Sequence, residues 1–166
     1  MSNSQTTISK KANALAERIK EGANALSVYA EGLSEADWQT PVVGDGRTVG
    51  VVIHHVASSY PVEVELAQVL ASGKPISGVT MMVVDKMNAE HAQKNAKVGK
   101  QETLELLKNN SSSAADAVRN FIDEELDNSA TVSLNADAPL TAQFFIEDHA
   151  LRHSFHHLAK IRATLD

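Results

Sequence analysis

The chain has 166 residues, 43% of them hydrophobic and 22% charged, with a formal net charge of -6 and no cysteine. That length can bury one proper core, so a single domain over 1–166 is expected. The acidic balance, without a basic run, leaves no nucleic-acid footprint. The lack of cysteine excludes disulfides, thiolate ligands and a cysteine nucleophile, so thiol chemistry would need a thiol from a cosubstrate; it also fits a cytoplasmic protein.

Residues 1–7 lack a basic-then-apolar signal pattern. No apolar run approaches the roughly 20 residues of a membrane span. The most apolar stretch, 49–56, is interrupted by His54 and His55.

Residues 7–32 carry Ile8, Leu15, Ile19, Leu26 and Tyr29 near a 3.6-residue repeat and predict a first helix, with Gly32 as its C-cap. Ser34 and Asp37 mark a short capped turn, and Trp38, the only tryptophan, is expected to close one end of the core. A Pro/Gly loop follows over 39–47. A second helix is predicted over 48–72, capped by Thr48, with Pro61 kinking it or splitting it near Ser59. A third segment spans 79–96. A long helix is predicted over 101–126, with the polar run 109–113 as a solvated turn inside it. Residues 127–138 read as a polar linker in which 131–134 could be extended. The last helix is expected over 140–165, with Pro139 near its first turn. Four long helices and no convincing sheet predict an all-α helical bundle.

Three of the seven histidines lie within 153–157, with His149 just upstream. His153 and His157 are four residues apart, one turn above each other on a helix. At 100° per residue, Leu140, Phe144, Leu151, Phe155, Leu158 and Leu165 share the core face. His153 and His157 fall at its edge, in a row with Ile146, Ala150 and Ile161; His156 falls nearly opposite, beside Arg152 and Phe145. On the second helix His55 shares its side with Val51, Val52, Val62 and Leu66, whereas His54 lies with Gly50, Glu65 and Gln68. An isolated histidine at a helix edge is ordinarily a surface polar group. Two clusters, each with one inward-leaning member, point instead to an open three-imidazole metal site. All-imidazole ligation suits Zn, Ni, Fe or Co rather than Mg or Ca. Asn88, Glu147 and Asp148 are available to orient the ligands.

Three stretches, Thr48-Val-Gly-Val-Val-Ile-His-His-Val-Ala57, Asn88-Ala-Glu-His91 and His153-Ser-Phe-His-His157-Leu-Ala-Lys-Ile-Arg162, resemble the DinB-like superfamily in order and spacing over nearly the whole chain. The resemblance implies a four-helix bundle of up-down-down-up topology with one histidine ligand from the second helix and two from an H-x-x-x-H in the last. Carried over, the metal ligands are His55, His153 and His157, the three that helix phase prefers. It further implies a homodimer, a divalent metal, most often Zn or Ni, and relatives that include bacillithiol transferases and mycothiol-dependent maleylpyruvate isomerase. One departure is Lys160, where relatives often carry Gln.

Two functions follow as expectations. The first is a metal-dependent thiol S-transferase or hydrolase-like enzyme acting on a small electrophilic molecule, with no membrane or nucleic-acid partner. Its general base is unassigned among His91, His149 and Asp148. The second is a non-enzymatic, dimeric helical stress or binding module with a structural metal or none.

Overall fold

The computed structural model describes residues 9–166. The predicted start of the first helix at residue 7, and Ile8, lie outside that range. Helix α1 runs Lys10–Glu31, with Ser9 as N-cap; α2 is the single capped turn Glu35–Trp38, with Ser34 and Asp37 forming a reciprocal capping box. Helix α3 is Val49–Ala71, α4 is Met81–Lys94 and α5 is Lys100–Arg119. A short α6, Asp123–Asp127, precedes a hairpin of β1, Ser129–Thr131, and β2, Pro139–Thr141, paired antiparallel with Ser129 opposite Thr141. The chain ends in α7, Ala142–Ile146, a π-helical stretch Glu147–Leu151, and α8, Arg152–Leu165.

Helix α1 packs between α5 and α8, and α3 packs against the same two from the other side. Three contacts orient them. Lys100 at the start of α5 donates to Leu33 O beyond the end of α1; Tyr29 donates to Asp166 beyond the end of α8; Asn128 donates to Ala71 O at the end of α3. Hence α1 and α8 run one way and α3 and α5 the other. This is the expected up-down-down-up bundle, with α4 crossing back outside it. No side chain of α4 is fully buried, and among the described residues no helix is long and apolar enough to cross a membrane.

The core fills the space between the four long helices with Leu15, Ile19, Leu26, Ile53, Leu70, Leu107 and Ile161. Trp38 closes one end, 1% exposed, its Nε1 donating to Val98 O at 3.0 Å. The closure requires glycine at 50, since a Cβ there would stand 2.3 Å from Trp38 Nε1.

Several sequence expectations give way to tertiary contacts. Pro61 does not split α3. Its missing N–H leaves Ala57 O without a helical donor, and Asn110 of α5 supplies one at 2.8 Å. The polar run 109–113 is therefore helical, as expected, but Asn110 and the buried Ser111 face the bundle rather than water. The predicted helix over 101–126 ends at Arg119. Phe121 turns into the core, and α6 starts afresh where the Glu125 carboxylate accepts from Ile122 N at 3.0 Å. Pro139 lies in β2, at the edge of a two-stranded sheet where a missing N–H is tolerated. Thr141, a better cap, starts the last helix by accepting from Phe144 N.

The π-helical stretch corrects the phase of the last helix. Phe144, predicted in the core, is 48% exposed, while Phe145, predicted outward, is 2% exposed. The buried row is Ile146, Ala150, Ser154 and Leu158, each four residues on from the last. In an unbroken α-helix three such steps would swing the row by about 120°. The wider π turn takes up part of that swing.

Candidate metal centre

His55 is brought by α3, and His153 and His157 by α8. One ligand nitrogen from each lies within 4.8 Å of the other two. His153 Nε2 and His55 Nε2 are 3.1 Å apart, close to the roughly 3.3 Å between neighbouring nitrogens in a tetrahedral ion's 2.0–2.1 Å bonds. The ring centroids of His153 and His157 are 4.9 Å apart, those of His55 and His157 5.6 Å. The four-residue spacing on α8 thus does what helix geometry dictates, and the core between α3 and α8 brings the third imidazole to it.

The electrostatics favour neutral ligands. Burial, aided by the charges of His153 and Arg47, pushes His55 down to about 2. Burial, with the same two neighbours, pushes His157 down to about 3. Both imidazoles are therefore unprotonated at neutral pH, with lone pairs free for a cation. Arg47 is clamped to Asp45 through Nε at 2.6 Å and Nη2 at 2.8 Å, which holds its positive charge in place.

Behind His153 stands Glu63, 9% exposed, with Oε1 2.7 Å from His153 Nδ1. The carboxylate is off the direction of a ring N–H, so the pair is close without being a well-directed hydrogen bond, and Glu63 Oε2 and His157 Nδ1 are buried with no partner. A carboxylate behind a metal-bound imidazole fixes its tautomer and raises its basicity. Sequence reading overlooked Glu63. The signal was there: His55, Ser59 and Glu63 follow at four-residue steps along one side of α3. The groups considered instead are engaged elsewhere. Glu147 accepts from Gln143, Asp148 accepts from Arg152 at 3.0 Å, and Asn88 lines the cleft described below.

The remaining histidines divide as follows. His54 is not simply outward: its Nδ1 lies 2.9 Å from His91 Nε2, joining α3 to α4. Burial, then the His54 charge, pushes His91 down to about 4. His149 stacks on Phe145 with ring centroids 4.2 Å apart. His156 is exposed, as phase predicts.

Beside the triad opens a cleft of about 550 Å³ that includes His55, His91, His149 and His153 in its walls. Its size is that of a small-molecule site. Three imidazoles with no carboxylate among them form the donor set of a transition metal, and His157 Nδ1 is buried without a hydrogen-bond partner. The residues fit a metal.

Residues 18–161 match the family profile described as the DinB superfamily. No curated protein matches the sequence. Among solved structures the chain is similar to YfiT from Bacillus subtilis, described as a probable metal-dependent hydrolase with an unusual four-helix bundle topology. The two share 18% identity at a TM-score of 0.76, over 98% of this chain and 91% of that one. It is also similar to a mycothiol-dependent maleylpyruvate isomerase, at 12% identity and a TM-score of 0.69. That match covers 90% of this chain but 60% of the isomerase, so the likeness leaves two fifths of that protein without a counterpart. At these identities the likeness is one of fold.

Proposed function

The chain belongs to the DinB superfamily, and from that premise we propose that it is a divalent-metal-dependent enzyme acting on a small electrophilic molecule, as a thiol S-transferase or a hydrolase. The observation that carries the reading is the convergence of His55, His153 and His157, the first two of them in the wall of the cleft, with Glu63 behind His153. The donor set suits a first-row transition metal, the family resemblance favours Zn or Ni among these, and the working unit is a homodimer in the cytoplasm.

Held there, the ion supplies a Lewis acid that lowers the pKa of a water or thiol placed on it. The chain's own residues do the rest. His55 and His157, kept neutral by burial, offer lone pairs without first releasing a proton. Glu63, 2.7 Å behind His153 Nδ1, places a negative charge beside that ring. The cleft walls orient the reactant and keep bulk water away. Because the chain has no cysteine, a thiol reactant comes from solution.

The test is metal content. Protein purified without a tag is expected to hold one ion per chain. His153→Ala is expected to lose it while retaining the helical circular-dichroism spectrum, because His153 sits at the cleft wall rather than in the core. An untagged protein that neither carries metal nor binds Zn or Ni below micromolar concentrations overturns the reading in favour of a helical binding module.

A further inference from the structure

The cleft is polar where it meets the triad and mostly apolar beyond it, and the change occurs in step on three helices. Along α3 the lining passes from His55, Ser58 and Ser59 to Val62 and Leu66, with the Glu63 carboxylate between them turned to His153 at 2.7 Å. Helix α4 runs the opposite way. From His91, hydrogen-bonded to His54 beside the triad, its lining passes back through Asn88 to Met87, Val84 and Val83. On the last helix it passes from His156, His153 and His149, beside the Arg152–Asp148 ion pair, back to Phe145. The far end is closed by Ile76 and Val132, whose loops are tied together by Ile76 N to Thr131 O at 3.0 Å and Ser133 N to Ile76 O at 2.9 Å. From His55 to Leu66 the helix rises about 16 Å. A fully polar ligand, such as a sugar-based thiol, would strip water from its hydroxyls against this wall without new partners.

We propose that the cleft binds an amphiphilic small molecule: a linear aliphatic or aryl body lying along Val62, Leu66, Val83 and Val84, with its reactive, metal-seeking head at His55 and His153. This assigns the substrate class of the site proposed above and rests on that metal reading. The apolar end selects the body by burial, and the triad end selects the head by coordination. Any polar thiol cosubstrate approaches the head from the histidine side and does not occupy the apolar end.

The experiment uses the full chain loaded with Co(II), whose visible absorption reports on the head group, titrated with linear alkyl hydroxamates from butyl to octyl. The Kd is expected to tighten about fourfold with each added methylene, with the same absorption change throughout. Val62→Asp, at a position 47% exposed and therefore tolerant of charge, is expected to weaken octyl binding several-fold and to leave butyl binding unchanged. Met82→Asp, 79% exposed and outside the cleft, is expected to change neither. If every hydroxamate shifts the absorption but Kd is flat with chain length, the amphiphile assignment is overturned and the metal site stands. The same holds if Val62→Asp binds the octyl probe like the unaltered chain. If no cobalt binds and no absorption appears, the metal reading itself fails and the assignment falls with it.

Discussion

Glu63→Gln separates a residue that holds the fold from one that prepares a metal ligand. Glu63 is 9% exposed on α3, with one oxygen 2.7 Å from His153 Nδ1 and the other buried without a partner. In metal-free protein that orphaned carboxylate is a cost, since a buried charge needs pairing and several hydrogen bonds to break even. An amide of the same shape removes the charge, so the thermal midpoint of the metal-free variant is expected to stay level or rise. For the metal the sign is opposite. Losing a carboxylate behind a ligating imidazole weakens affinity about 10- to 100-fold, which is about 1.4–2.7 kcal/mol. Metal competition against a chromophoric chelator reads the affinity directly. Thermal melts at saturating metal read it again, because the stabilisation conferred by a bound ion falls by the same amount. A variant that binds metal as tightly as the unaltered chain, while its metal-free form melts lower, refutes the assignment and makes Glu63 a structural residue.

The π-helical stretch predicts that two adjacent phenylalanines behave differently. Phe145→Ala is expected to cost about 3–5 kcal/mol in denaturant unfolding, and Phe144→Ala less than about 0.5 kcal/mol; equal costs would contradict the phase shift. Metal-free protein is expected to lose stability as pH falls below about 6.5. His55 and His157 have folded values of about 2 and about 3, so the unfolded chain takes up protons first and stability declines with acidification through that window. Each group contributes a slope of about 1.4 kcal/mol per pH unit, or about 2.7 for the two. A flat urea midpoint between pH 6.5 and 5 would count against two neutral buried imidazoles.

The bundle was legible because four long apolar repeats near 3.6 residues can be buried in few ways. The three histidines that converge were legible because two sit one helical turn apart and the third shares a side with valines at the start of its helix. The caps at Ser34 and Thr48 were legible for a similar reason: a cap is a local hydrogen bond between near neighbours in sequence. What sequence could not supply depended on groups far along the chain. Pro61 is tolerated because Asn110 donates to the carbonyl it leaves free. The 101–126 pattern breaks because Phe121 finds the core at a turn. A π turn cannot be read from a fixed 100° phase, and it decided that Phe145 rather than Phe144 is buried. Glu63 is in step with His55 along α3, but which histidine it backs was decided by α8, which placed His153 against it. The polar-to-apolar gradient of the cleft exists only where α3, α4 and the last helix run side by side. Local periodicity selects which face of a helix is apolar, but packing between distant segments selects what that face meets, and the chemistry of the site belongs to the second choice.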